Sequence, residues 1–183
     1  MALFLKSFEL KQKYRDIKPF SVKFRDGLNI IVGENGSGKS TLLHLLTDCQ
    51  DKNLAAIKAD HVDTKFLDTE KMNPRIKGID YATNGTLGFV LGSRFVSHGQ
   101  SMLPLVLASK DFKDLVLFVD EPEAGISLKN QQKIVESFHK TVNNNCQIVA
   151  TTHSYVIIKS VPEVFDLDTR KWISSQSYLS RVI

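Results

Sequence analysis

The sequence predicts an α/β fold, a mostly parallel β-sheet covered by helices with an antiparallel patch at its N-terminal end. Short apolar runs of buried-strand type alternate with helical segments along the chain, which calls for a parallel sheet covered on both faces. Three strand-like segments precede the first helix, one or two more than a simple β–α alternation needs, and these supply the antiparallel patch. A glycine-rich loop stands between a buried strand and an apolar helix, a junction suited to holding an anion. With 183 residues, 42% of them hydrophobic and 24% charged, the chain is long enough to fold as a single domain, 1–183, without disulfides or a structural metal.

Each element has its own signal. Residues 3–10 and 20–24 alternate apolar and polar side chains as strands do, Asp26-Gly27 marks a turn, and 28–32 is a β-branched run of buried type. Residues 40–46 carry Leu42, Leu43, Leu45 and Leu46, which predicts a helix covered over much of its surface. Residues 65–67 end a strand. The polar, glycine-rich and aperiodic stretch after it predicts a short lid over about 68–96 rather than a second domain. An apolar helix follows over 101–109, a buried strand over 115–119, an amphipathic helix over 127–142 capped by Ser127, and a strand over 147–152. Residues 164–167 and 171–173 flank a turn and predict a hairpin.

Composition excludes several classes. The net charge of +4 permits a polyanionic partner without requiring one, since a nucleotide site alone recruits several cations. Cys49 and Cys146 form no spaced framework, and each adjoins an apolar element, so both are predicted core residues of a reduced, cytoplasmic protein. The N-terminal stretch lacks the pattern of a secretory leader, and no run approaches the ~18 apolar residues of a membrane span, so no membrane role is expected for this chain alone.

Two motifs carry chemistry. Gly33, Glu34, Asn35, Gly36, Ser37, Gly38, Lys39 and Ser40 satisfy G-x-x-x-x-G-K-[ST], with Thr41 next in the helix. Glycines let successive backbone N–H groups turn inward onto phosphate oxygens, and the helix N-terminus adds its dipole to the same anion. Lys39 then reaches the β- and γ-phosphates of ATP, and the Ser40 hydroxyl is a ligand for Mg²⁺. The second motif is a strand that ends in adjacent carboxylates, Asp120 and Glu121. Charges at a core edge are costly unless paired or bound to metal, and parallel sheets place ligands at the C-terminal ends of their strands. Asp120 is therefore expected to reach Mg²⁺ through water, and Glu121 to face the γ-phosphate as the general base.

Three further stretches narrow the reading. Asp120-Glu121-Pro122-Glu123-Ala124-Gly125-Ile126-Ser127 resembles the Walker B and D-loop stretch of ABC-type ATPases, Ser97-His98-Gly99-Gln100-Ser101 sits where those proteins keep their signature loop, and Thr151-Thr152-His153-Ser154 is similar to their switch-histidine segment. The order of motifs is also theirs, and the likeness covers about residues 4–167. The Ser-His-Gly form and the Asp-Glu-Pro-Glu-Ala tract most resemble small soluble ATPases of bacteria and phages, distant relatives of RecF and SMC-type heads. The resemblance implies a P-loop NTPase fold and ATP hydrolysis by a homodimer formed in the ATP state. It also implies that Ser97, Gly99 and Gln100 bind the γ-phosphate held by the other copy, and that His153 contacts that phosphate and the attacking water. By themselves, 97–100 would be an ordinary helix cap and His153 a loop histidine. DNA or an effector protein is the implied partner.

The departures are specific. His98 replaces the first glycine of the common signature, Ser127 replaces the D-loop aspartate, and no clear Q-loop glutamine follows the middle strand, where Glu70 is the nearest candidate. Lys13, Tyr14 and Arg15 are candidates for the adenine ring by their upstream placement alone. The altered D-loop keeps open an alternative, a binding switch in which ATP assembles a dimer or docks a partner with negligible hydrolysis.

Overall fold

A computed structural model describes residues 4–15, 17–68 and 98–182. The expected lid beyond Asp68, Glu70 and Ser97 lie outside them. The strands are β1 (Leu5–Leu10), β2 (Phe20–Lys23), β3 (Leu28–Val32), β4 (Ala55–Ala59), β5 (Asp63–Asp68), β6 (Leu115–Asp120), β7 (Gln147–Thr151), β8 (Glu163–Asp166) and β9 (Lys171–Ser174). The α-helices are α1 (Lys39–Asp48), α2 (His98–Leu107), α3 (Leu128–Asn143), α4 (Tyr155–Lys159) and α5 (Ser175–Val182), with a 3₁₀ turn at Ala108–Asp111.

The main sheet has the order β5-β6-β7-β3-β8-β9, parallel throughout except for the antiparallel β8–β9 hairpin at its edge. Its inner strands β6, β7 and β3 are buried on both faces, so they read as largely apolar runs, whereas the edge strands β5 and β9 are mostly exposed or half-buried. Ile31, Val116, Phe118, Val149 and Phe165 point into one core, shared with α1 and the N-terminal sheet. Their neighbours Ile30, Val32, Leu117, Ile148 and Ala150 point into the other, against Ile134 and Phe138 of α3 and Ile157 of α4. This two-layer covering is what holds the C-terminal strand ends in one line, where the chemistry-bearing side chains collect.

The antiparallel patch differs in membership from the expectation. It is a separate sheet, β2-β1-β4, in which β4 is the third strand, while β3 belongs to the main sheet. Two buried amides join the sheets: Gln147 Nε2 donates to Leu5 O and Arg25 O, its Oε1 accepts from Leu5 N, and Asn29 exchanges hydrogen bonds with the Arg25 backbone. Three smaller corrections follow. Helix α2 starts at His98, three residues before the expected 101, so Pro104 lies inside it rather than in the first turn that proline prefers. Ser127 is the N-cap of α3 by position, but its side chain makes no capping bond, and its carbonyl instead accepts from Asn130 and Gln131. Cys146 is fully buried, whereas Cys49 is only half-buried at the end of α1. No helix among the described residues is long and apolar enough to cross a membrane.

Candidate phosphate site at the strand ends

The loop between β3 and α1 has the backbone that its glycines allow. Gly36 and Gly38 have φ of 81° and 97°. A Cβ at Gly38 would lie 2.5 Å from the buried Ile17 side chain, and one at Gly33 would lie 2.6 Å from Ser37 Oγ. Side chains at these positions would collide with the packing that shapes the loop. Lys39, 5% exposed, folds under it and donates from Nζ to Gly33 O and Glu34 O, both at 3.1 Å. Burial lowers the Lys39 pKa, opposed by the nearby carboxylates of Glu121, Asp168, Asp120 and Glu123. A buried ammonium held by two neutral carbonyls is a fitting counterion for an anion in the loop, and phosphate would restore the charge balance that burial removes. Ser40 opens α1 at the surface, beside the half-buried Thr41.

Strands β6 and β7 bring the other groups to the same edge. Parallel register pairs Asp68 with Asp120 and Asp120 with Thr151. The Thr151 hydroxyl donates to Asp120 Oδ1 at 2.5 Å, which fixes the carboxylate's rotamer. Glu121 leaves the sheet with a left-handed φ of 44°, uncommon for a residue with a side chain, and its N–H donates to Thr151 O and Thr151 Oγ1. The turn aims the Glu121 side chain towards His153, with Oε1 3.6 Å from Nε2. Among the described residues no group of three or more His, Cys, Asp or Glu side chains could cage a metal by itself. The Ser40 hydroxyl and Asp120 suit an ion that takes its remaining oxygens from phosphate and water, the habit of Mg²⁺.

Of the residues predicted from sequence, the structure brings together 33–41, Asp120, Glu121 and His153. Gly99 and Gln100 lie in the first turn of α2, and Ser97 lies outside the described residues. Tyr14 and Arg15 line a pocket with Thr41, His44 and Leu45 of α1. The sequence reading left Glu123, Gln131, Asp168 and Tyr178 without a role. Glu123 Oε1 accepts from His153 N at 2.6 Å, and Asp168 Oδ2 accepts from Glu34 N at 2.8 Å, bracing the loop from behind. Tyr178, nearly buried on α5, places its phenol beside the Gly33 backbone. Glu123 stood within a recognised tract, but nothing in the sequence ties Asp168 to a residue 134 positions away.

Comparison with known proteins finds two family models, a partial sequence relative and a shared fold. Residues 8–90 match the family model described as AAA domain, and residues 96–158 match the one described as AAA ATPase domain. A 76-residue stretch, 41% of the chain, is 36% identical to a protein of Clostridium tetani (strain Massachusetts / E88) named as an ABC transporter ATP-binding protein. The match spans 17% of that protein's length. Among solved structures, a nucleotide-free ATP-binding cassette from an ABC transporter superposes with a TM-score of 0.61 at 12% identity, covering 97% of this chain and 94% of that one. A metal-chelate type ABC transporter in an inward-facing conformation gives 0.63 at 18% identity, covering 96% of this chain and 85% of that one.

Proposed function

We infer, from the ATP-binding cassettes that superpose on it, that the chain is an ABC-type P-loop ATPase domain. We propose that the chain, a single domain with a short lid over about 68–96, binds ATP with Mg²⁺ and hydrolyses it, as one half of a homodimer that forms around two nucleotides. The observation that carries this reading is the gathering of Lys39, Glu121 and His153 at one sheet edge: Glu121 Oε1 stands 3.6 Å from His153 Nε2, and Glu121 is the foremost carboxylate acting on the Lys39 ammonium.

Each residue then has a physical task. Backbone N–H groups of 36 and 38–41 face the phosphates, and Lys39 exchanges its two carbonyl partners for phosphate oxygens. Ser40 and Asp120 would hold Mg²⁺, which would supply positive charge to offset that of the phosphates. Glu121 accepts the proton of the attacking water, and His153 hydrogen-bonds that water and the γ-phosphate. Tyr14 and Arg15 flank the base. Ser97, Gly99 and Gln100 donate to the γ-phosphate held by the second copy. The remaining output, acting on DNA or on an effector protein in a bacterial or phage process in the cytoplasm, follows the RecF- and SMC-head-like motif forms.

Ser127 in place of the D-loop aspartate supports the second reading, a non-hydrolysing switch that recruits a partner protein. Steady-state phosphate release by the purified protein, with and without DNA, separates the two. Mg-dependent turnover that disappears in Glu121→Gln is the expected result, and ATP binding without turnover would leave the switch.

A further inference from the structure

The segment that begins at Glu121 and the loop that carries His153 are stitched together at several points. Glu121 N–H donates to both Thr151 O and Thr151 Oγ1 at 3.2 Å. His153 N–H donates to Glu123 Oε1 at 2.6 Å. Gln131, buried on α3, donates from Nε2 to Ile126 O at 2.8 Å and accepts from Ser154 Oγ at 2.7 Å. Ser154 Oγ in turn accepts from Ile157 N at 3.1 Å, capping α4. Residues 121–126 and 151–154 are therefore one hydrogen-bonded unit, and Glu123 is its contact at the histidine itself.

From this arrangement we propose that Glu123 is a positioning residue, which grips the His153 amide and so sets where the imidazole stands relative to Glu121, with Gln131 as the second anchor. The role rests on the ATPase reading above. The side chains of Glu121 and His153 are 42% and 38% exposed, so packing alone does not hold them 3.6 Å apart. Two main-chain anchors contribute to that separation, Thr151 for Glu121 and Glu123 for His153. Strand β7 ends at Thr151, which leaves the His153 N–H without a ladder partner from the sheet. A small polar side chain could satisfy that donor. Instead the chain uses a mostly buried carboxyl whose Oε2 has no hydrogen-bond partner, the Thr152 side chain lying nearby but outside bonding geometry. Burial raises the Glu123 pKa against the pull of the His153 amide, so the placement works against stability. Such a compromise is characteristic of a site where geometry matters more than fold stability.

The test uses the full chain and Glu123→Ala, Glu123→Gln, His153→Ala and the Glu123→Ala/His153→Ala double variant. Loss of the acceptor should lower kcat for ATP about tenfold to hundredfold in Glu123→Ala, the scale of a misplaced catalytic group, while KM and Mg-ADP affinity stay within about twofold. Glu123→Gln keeps an acceptor oxygen and should hold kcat within about threefold of wild type. The double variant should be no slower than His153→Ala. Hydrogen exchange at the His153 amide should quicken in Glu123→Ala and stay slow in Glu123→Gln. Where Glu123→Ala fails to fold, Glu123→Met keeps the volume, lacks the acceptor and carries the same expectations. Glu123→Gln as slow as Glu123→Ala, a wild-type kcat in Glu123→Ala, or additive losses in the double variant would each overturn the role. A wild-type protein that hydrolyses no ATP would remove the reading beneath it. Exchange would still report separately whether Glu123 holds the amide, and unchanged protection in Glu123→Ala would overturn the clamp itself.

Discussion

Lys39 concentrates the physical chemistry of the loop in one side chain. Burial outweighs the attraction of four carboxylates and leaves its pKa below the ordinary 10.5. A folded-state pKa that is depressed contributes stability above the unfolded value, and that contribution is lost as pH falls through the folded pKa. Burying the ammonium is therefore a cost to the fold. Lys39→Met should raise the Tm of nucleotide-free protein by about 2–4 °C, equivalent to roughly 1 kcal/mol, while weakening Mg-ATP binding about hundredfold or more through loss of charge-assisted bonds. Calorimetry and a nucleotide-binding titration check the two halves, and wild-type affinity in the variant would sink the assignment of the loop. Glu121→Gln separates binding from chemistry. Its amide fits the same space but cannot take the water's proton, so binding should persist while turnover falls about 10²- to 10⁴-fold. Preserved turnover in a folded Glu121→Gln protein would remove Glu121 as general base.

At the scale of elements, legibility followed the reach of each signal. Strands β3, β6 and β7 were readable because burial on both faces leaves unbroken apolar runs, and the Asp120-Glu121 and phosphate-loop motifs abut those runs. Strand β4, Ala55–Ala59, has neither alternation nor β-branched density, and its pairing with β1 comes from a hydrogen-bond ladder that sequence does not display. Helix α4 has five residues, too few for a helical period, and the polar α5 is held by tertiary contacts more than by propensity. Those contacts explain why the β8–β9 turn and α5 lie against the phosphate loop. Asp166, fully buried, accepts from Arg181 Nη2 at 2.7 Å, from Thr169 Oγ1 at 2.8 Å and from Asp168 N at 3.1 Å, while Asp168 holds Glu34. Burial pushes the Asp166 pKa up, but Arg181 and these donors outweigh it and hold the carboxyl below its ordinary 3.8. The resulting stability is present above that value and is lost as pH falls through the folded pKa. Arg181→Ala should cost about 1–2 kcal/mol at pH 7, since the carboxylate is buried but the guanidinium is half exposed. Urea melts should show that penalty shrinking as pH drops below the ordinary carboxylate range, and a pH-independent penalty would mean that Arg181 acts by packing alone.

For the whole molecule, the parallel register decides what one copy can do. The phosphate loop, Asp120, Glu121 and His153 all stand at the C-terminal ends of β3, β6 and β7, within one copy. The candidate signature residues Gly99 and Gln100 lie in the first turn of α2, which packs through Val106 and the 3₁₀ turn against α3. If those residues bind a γ-phosphate, a two-fold dimer is the economical arrangement, because each loop then meets the other copy's α2 and both sites close together. ATP would favour that state over ADP only through contacts to its extra phosphate, since a ligand shifts an equilibrium by its differential affinity alone. Glu121→Gln, which should bind ATP without consuming it, is accordingly expected to be dimeric with Mg-ATP and monomeric with ADP. Ser97→Arg, next to α2 in sequence and outside the phosphate-loop motif, should block the dimer while leaving nucleotide affinity of the monomer within about threefold, because it changes no residue of the loop. Light scattering across these states measures the mass directly. A mass that ignores nucleotide, or an unaffected Ser97→Arg dimer, would reduce 97–100 to a helix cap and leave each copy to act alone.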